Sequence, residues 1–281
     1  MNMIRSVRRR FTVGHHMATA TDPATLRRAA AELLATAIFV FAAEGATLSL
    51  GTYPAYTRCW RMHRHDKGGG VVGGLVVVAL AHALALAAAV ACAANTSGGH
   101  VNPAVTFGAL LAGRICLVRS LVYWAAQLLG AVAAALVLRL ATGGMHLPEY
   151  ALAGCVSGWQ AAVLEAAMAF GLMHAYFVTV MDHHTRRVRA GAGAGAVAAP
   201  LAVGLLAGAN VLACGALEGA VMNPARAFGP AVVGSRRWGN HWVYWVGPMV
   251  GAGLSGVLYE HLVAGGEEAE PAPSCGGRRR E

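Results

Sequence analysis

Acidic residues are scarce in this chain. Only 13 of its 281 residues are Asp or Glu, and all four charged types together make 12%. A soluble domain carries about a quarter charged residues. So little charge cannot solvate a globular surface, which argues against a soluble enzyme and against a disordered chain. Lysine is scarcer still: Lys67 is the only one, so nearly all the positive charge is arginine. Aromatic residues are few, at 7%. The six cysteines (Cys59, Cys92, Cys116, Cys155, Cys214 and Cys275) contain no C-x-x-C pair, and several lie in apolar runs. A disulfide scaffold is therefore not indicated, and a buried inert thiol is the default for most of them. Met1–Arg28 has basic residues but no short apolar core before a cleavage site. No cleavable signal peptide is read, and the first apolar run is expected to insert as a span.

What the chain does have is apolar sequence, at 57% and a mean hydropathy of +0.52. It also has 36 glycines, and abundant small residues suit helices packed closely in lipid. A span needs about 20 mostly apolar residues. Six candidates are read: Ala29–Leu50, Val71–Ala91, Val118–Ala141, Gln160–Met181, Ala196–Cys214 and His241–Val263. Two further apolar stretches, Pro103–Ala112 and Pro224–Val233, are too short to cross. About ten helical residues cover only about 15 Å, half the hydrocarbon core.

The net charge of +9 could mark a nucleic-acid binder if the chain were soluble. Here the arginines cluster between apolar runs and at the ends, which makes the charge topological. Arg5, Arg8, Arg9, Arg10, Arg27 and Arg28 precede the first span. Arg186, Arg187 and Arg189 follow the fourth, and Arg278, Arg279 and Arg280 end the chain. With six spans these segments share one side, so both termini are expected to be cytoplasmic. The loop with Arg58, Arg61, Arg64 and Lys67 opposes this and is outweighed.

The two short stretches are related. SGGHVNPAVTFGALLAG runs from Ser97 to Gly113, and EGAVMNPARAFGPAVVG from Glu218 to Gly234. Each lies between the second and third spans of its half, and each half's first span carries an acid, Glu32 or Glu165. This is an internal repeat. Three spans per half is odd, so successive copies have opposite orientations, as in transporter inverted repeats. The short stretches then enter from opposite faces and meet near the midplane.

Asn is a favoured N-cap, and Pro at the first helical position sacrifices no bond. Asn102-Pro103-Ala104 and Asn223-Pro224-Ala225 thus each start a half-helix. Two facing half-helix N-termini create a positive potential that repels cations and protons, while the Asn amides can donate to a passing oxygen. Non-helical backbone at that depth must line water or pack within protein.

Paired Asn-Pro-Ala motifs on six spans resemble the aquaporins, or major intrinsic proteins, over roughly Ala29 to Val263. Selectivity by pore lining is a known property of that family. More narrowly, FVFAAEG (Phe39–Gly45), ALAHALAL (Ala79–Leu86), YWAAQLLGA (Tyr123–Ala131), GAN (Gly208–Asn210) and HWVYWVGP (His241–Pro248) resemble the plant tonoplast intrinsic proteins. The start, RRRFTVG (Arg8–Gly14), looks most like their seed-type, or alpha, branch. The resemblance implies an all-α membrane fold of six transmembrane helices plus two re-entrant half-helices. It implies a passive, non-enzymatic channel in the vacuolar membrane, assembled as a homotetramer or as a heterotetramer with related channels. The expected layout is a cytoplasmic segment 1–28, a channel domain 29–263 with repeats at about 29–141 and 160–263, and a cytoplasmic tail 264–281. No cofactor, metal or nucleic-acid partner is expected; the partners are lipid, water and small neutral solutes.

The resemblance also implies an outer constriction of His82, Val211, Ala220 and Arg226. Arg226 supplies a fixed cation and donors, and His82 a polar edge. Val211 and Ala220 make a small apolar wall. Strict water pores use bulkier aromatic residues here, so water comes first and hydrogen peroxide, urea, glycerol or ammonia are secondary candidates. Glycerol-type relatives carry Asp and Arg where this chain has Ala227 and Ala231, which favours the water type. Two features depart from the family. Thr52–Trp60 lengthens the loop after span one, and Val221 replaces a small residue beside the second re-entrant turn.

Several other features receive bland readings. Glu32 and Glu165 could carry protons, but are expected to brace the loop backbones. The pairs His63–His65 and His183–His184 are read as solvated loop histidines, and Gly191–Gly195 follows no strand, as a dinucleotide loop would. Thr12, in an R-R-x-T pattern, is a candidate phosphosite. Two rival classes are a coupled secondary transporter, which usually needs ionisable midplane groups, and an adhesion protein with a closed pore. A flux assay separates them.

Overall fold

A computed structural model describes residues 17–50, 69–147, 150–182, 195–234 and 238–263, and all regular structure among them is helical. A short turn, α1 (Met17–Ala20), precedes α2 (Pro23–Ser49). Then come α3 (Gly69–Ala94), α4 (Pro103–Ala112), α5 (Leu117–Ala141) and α6 (Gly158–Tyr176). The second half continues with α7 (Gly195–Glu218), α8 (Pro224–Val233) and α9 (Val243–Leu258).

Local chemistry sets the helix ends. Helix α2 begins before the expected Ala29 because Asp22 is its N-cap, accepting from the Thr25 N–H at 3.2 Å, and Pro23 fills the first position. The boundary drawn after Arg28 therefore falls inside this helix. Ser157 and Gln160 form a capping box at the start of α6. Helix α7 runs past Cys214 to Glu218, because the Glu218 carboxylate is buried and accepts the Ala220 N–H at 2.9 Å.

Among the described residues, five helices are long and apolar enough to cross a membrane. The sixth crossing is α9, whose 16 residues are continued by a π-helical turn of five, Tyr259–Val263. Together they reach roughly 30 Å, the thickness of a hydrocarbon core. Helix α6 ends likewise in a π-helical turn, Phe177–Met181, and the rings of Phe177 and Tyr259 stack at 4.8 Å.

Packing follows the repeat. Helix α2 lies on α5 as α6 lies on α9, and half-helix α4 lies on α9 as α8 lies on α5. Helices α3 and α7 pack on each other across the two halves. The closest approaches are mirrored too. A Cβ added at Gly130 would stand 2.3 Å from the Leu33 carbonyl, and one at Gly251 would stand 1.9 Å from that of Ala166. Leu33 and Ala166 each follow the acid of their half, Glu32 and Glu165. Only a residue without a side chain permits these crossings.

The interior inverts the pattern of a water-soluble protein. Leu34, Leu80, Leu129, Val163, Leu205 and Leu254 face outwards, while Glu32, Glu44, Gln127, Glu165, Glu218 and Arg226 are buried. Apolar outside and polar inside is what lipid demands. Among the cysteines, Cys92 and Cys214 are free thiols. Cys116 and Cys155 are each in a disulfide, unlike the inert thiols expected by default.

Several sequence features lie outside the described residues: Thr12 and the first arginine cluster up to Arg10, Thr52–Trp60, His63 with His65, and His183 with His184. Arg186–Arg189, Gly191–Ala194 and the tail from Ala264 lie outside them as well.

Candidate functional site

The two Asn-Pro-Ala turns meet at the centre of the molecule. Asn102 caps α4, its side-chain oxygen accepting the Ala104 N–H at 2.8 Å. Asn223 caps α8, accepting from Ala225 at 3.0 Å and Arg226 at 3.4 Å. Each amide nitrogen then crosses to the opposite turn. Asn102 Nδ2 donates to the Met222 carbonyl at 2.8 Å, and Asn223 Nδ2 to the Val101 carbonyl at 2.9 Å. The sequence expectation had the amides donating to a passing solute. In the structure one N–H of each ties the two turns together, and a second is left on each nitrogen. Both asparagines line one cavity.

The residues before the asparagines are conformationally unusual. Val101 and Met222 have φ of 56° and 54°, a left-handed conformation that side-chain-bearing residues rarely adopt. Such a conformation costs on the order of 1–3 kcal/mol and persists only where the surroundings over-determine it. Here they do. Glu32 accepts the N–H groups of His100 (2.9 Å) and Val101 (2.7 Å), the Ser97 hydroxyl (2.6 Å) and the Gln127 amide (2.8 Å). Glu165 accepts the N–H groups of Val221 (2.5 Å) and Met222 (2.6 Å). Each acid thus holds the turn of its own half.

His82, Val211 and Arg226 line the same cavity as the asparagines, and so does Val221. His82 Nδ1 lies 2.7 Å from the Val78 carbonyl. A carbonyl only accepts, so Nδ1 carries a proton, and Nε2 is buried without a partner among the described residues. Ala220 is buried, with φ of 45°. It contributes its carbonyl, which accepts Arg226 Nη1 at 2.7 Å. The four residues named from the sequence are therefore brought together, with Ala220 behind the guanidinium.

Four participants were not named as site residues from the sequence. Glu44, on α2, is 1% exposed and pairs with Arg226, Nε to Oε1 at 2.9 Å. Tyr150 donates its hydroxyl to Glu44 and lays its ring 5.3 Å from the guanidinium carbon of Arg226. Glu218 braces the turn beside Glu165, and Tyr244 donates to the Glu218 carbonyl at 2.7 Å. Glu44 carried a readable signal, since an acid inside an apolar span needs a partner. Tyr150 carried none, because its loop is positioned only by the fold.

The geometry can be set beside known proteins. The profile of the Major intrinsic protein family matches residues 19–259. The chain is 59% identical to a probable aquaporin TIP3-1 of Oryza sativa subsp. japonica, over 94% of this chain and 92% of that one. It is 60% identical to aquaporin TIP3-1 of Zea mays, over 91% and 89%. The X-ray structure of the aquaglyceroporin from Plasmodium falciparum superposes with a TM-score of 0.64 at 21% identity, over 86% of this chain and 98% of that one. At that identity the likeness concerns the fold.

Proposed function

Because this chain belongs to the major intrinsic protein family, grouping there with the TIP3 aquaporins, and is a membrane water channel and not an enzyme, we propose how its residues divide the work. Water passes in single file down its gradient. Asn102 and Asn223, with Pro103, Ala104, Pro224 and Ala225, form the midpoint, where two half-helix N-termini oppose cations. His82, Val211, Ala220 and Arg226 form the outer constriction. Glu32 and Glu165 brace the turns and carry no protons in transport. The observation that carries this reading is that both asparagines, His82, Val211 and Arg226 line a single cavity.

The constriction is of mixed polarity, so small neutral solutes such as hydrogen peroxide, urea, glycerol or ammonia are secondary cargo. Tonoplast residence is supported by the resemblance to tonoplast intrinsic proteins. Cytoplasmic termini are supported by the arginine distribution. A homotetramer, or a heterotetramer with related channels, follows from the family. The channel domain spans 29–263, between a cytoplasmic segment and tail, and Thr12 is the proposed phosphosite. The deciding experiment is stopped-flow swelling of vesicles holding the full chain. Water permeability well above that of empty vesicles is expected, and its absence would sink the reading.

A further inference from the structure

The constriction contains a charge that its four-residue description omits. An Arg guanidinium stays protonated in any protein environment, so a lone Arg226 would give the pore a net positive collar. Glu44 removes that excess. Its carboxylate meets Arg226 Nε at 2.9 Å, both side chains are almost fully buried, and they stand on helices from opposite halves. The rest of the guanidinium is also largely engaged by backbone carbonyls. Nη1 donates to the carbonyls of Ala220 (2.7 Å) and Val221 (3.4 Å), and Nη2 to that of Gly219 (3.5 Å). Most of its five donors are thus engaged by protein.

One acceptor is placed differently. His82 lines the cavity, and its Nε2 is buried without a partner among the described residues, whereas buried polar atoms normally find one. In a hydrated channel the available donors are water and other N–H or O–H solutes.

We propose that Glu44 is a specificity-determining residue of the constriction: by pairing with Arg226 it leaves the constriction without net charge and withholds the guanidinium from the solute. This rests on the constriction assigned under Proposed function and names its electrostatics. A neutral constriction whose His82 Nε2 is an open acceptor favours solutes that donate hydrogen bonds. It gives little attraction to anions, and it leaves the repulsion of cations chiefly to the half-helix termini. Tyr150 is a positioning residue, since its hydroxyl bonds Glu44 while its ring covers the guanidinium.

The test uses full-length protein in anionic-lipid-free vesicles, with nitrate flux and water flux measured on the same preparation. Glu44→Gln keeps the shape and removes the countercharge. The ratio of nitrate to water flux should rise on the order of tenfold, because an uncompensated cation in a low-dielectric pore attracts anions. Glu44→Asp, which keeps the charge, should return the ratio towards wild type. A wild-type ratio in Glu44→Gln overturns the proposal. If Glu44→Gln fails to insert, the double substitution Glu44→Gln with Arg226→Gln decides. It should insert and keep the wild-type ratio; failure to insert, or a raised ratio, overturns the proposal. His82→Ala separates the two readings. If it leaves solute selectivity unchanged, the constriction itself is misassigned; if it widens selectivity while Glu44→Gln changes nothing, only the role of Glu44 fails.

Discussion

Asn102 and Asn223 close each other's turns: each caps its own half-helix and donates across the midplane to the carbonyl just before the other, at 2.8 and 2.9 Å. The bond is reciprocal, and so should be the damage. Asn102→Ala and Asn223→Ala each remove a cap, worth about 1 kcal/mol. Each also leaves a buried carbonyl unpaired, at about 1–3 kcal/mol. Thermal unfolding in detergent should report similar losses for the two, and water permeability should fall in both. A large loss from one and none from the other would break the symmetry argument.

Arg226→Val deletes one partner of a buried pair and strands the Glu44 carboxylate. Breaking such a pair costs about 3–5 kcal/mol, whereas replacing both partners with apolar residues is often close to neutral. The single variant should therefore melt well below wild type, and Arg226→Val with Glu44→Val should recover most of the loss. Proton leak in vesicles should rise in the single variant wherever it inserts, because the stranded Glu44 carboxylate attracts cations, and should stay near wild type in the double variant. An unchanged leak in the single variant would remove Arg226 from the barrier.

Gly251→Ala places a Cβ 1.9 Å from the Ala166 carbonyl, where a backbone must move to admit it. Assembled protein should be lost, as judged by size-exclusion chromatography. Gly73→Ala is the contrast, because among the described residues nothing lies within 4 Å of its added Cβ. Inside a helix that change should be neutral, or stabilise by up to about 1 kcal/mol. Equal behaviour of the two would refute the close crossing of α6 and α9.

His241 precedes α9, with its ring 4.8 Å from Trp238. Its Nε2 is buried without a partner among the described residues. Burial lowers its pKa from the ordinary 6.5. The unfolded chain therefore takes up a proton at a higher pH than the folded one, and stability declines as pH falls below about 6.5. Melting temperature measured across that window should show the decline. His241→Phe should flatten it, and a slope that survives the substitution assigns the effect elsewhere.

The crossings and the repeat were legible in the sequence because lipid imposes a long apolar run on every span and an odd count inverts the copies. Helix ends were less legible. Asp22 and Pro23 start α2 early, and burial of Glu218 lets α7 run on. In the site, the residues named from the motifs sit together because the motifs are themselves the turns. Glu44 was legible as an acid inside an apolar run, but its partner Arg226 lies 182 residues away and only the fold brings the two together. Tyr150 reaches Arg226 only through a loop whose course depends on tertiary packing. The left-handed φ of Val101 and Met222 contradicts the preference of both residue types, and only the surrounding acceptors explain it.

The cross-bond between the turns also has a consequence for the order of events during synthesis. Asn102 and the carbonyl it needs are 120 residues apart. A ribosome adding roughly 5–20 residues per second delivers that partner on the order of ten seconds later. For that interval the first turn sits in the membrane, or in the insertion machinery, with its strained residue held by Glu32 alone. Neither half can complete its own turn, so the finished pore arises in one late docking event between two waiting halves.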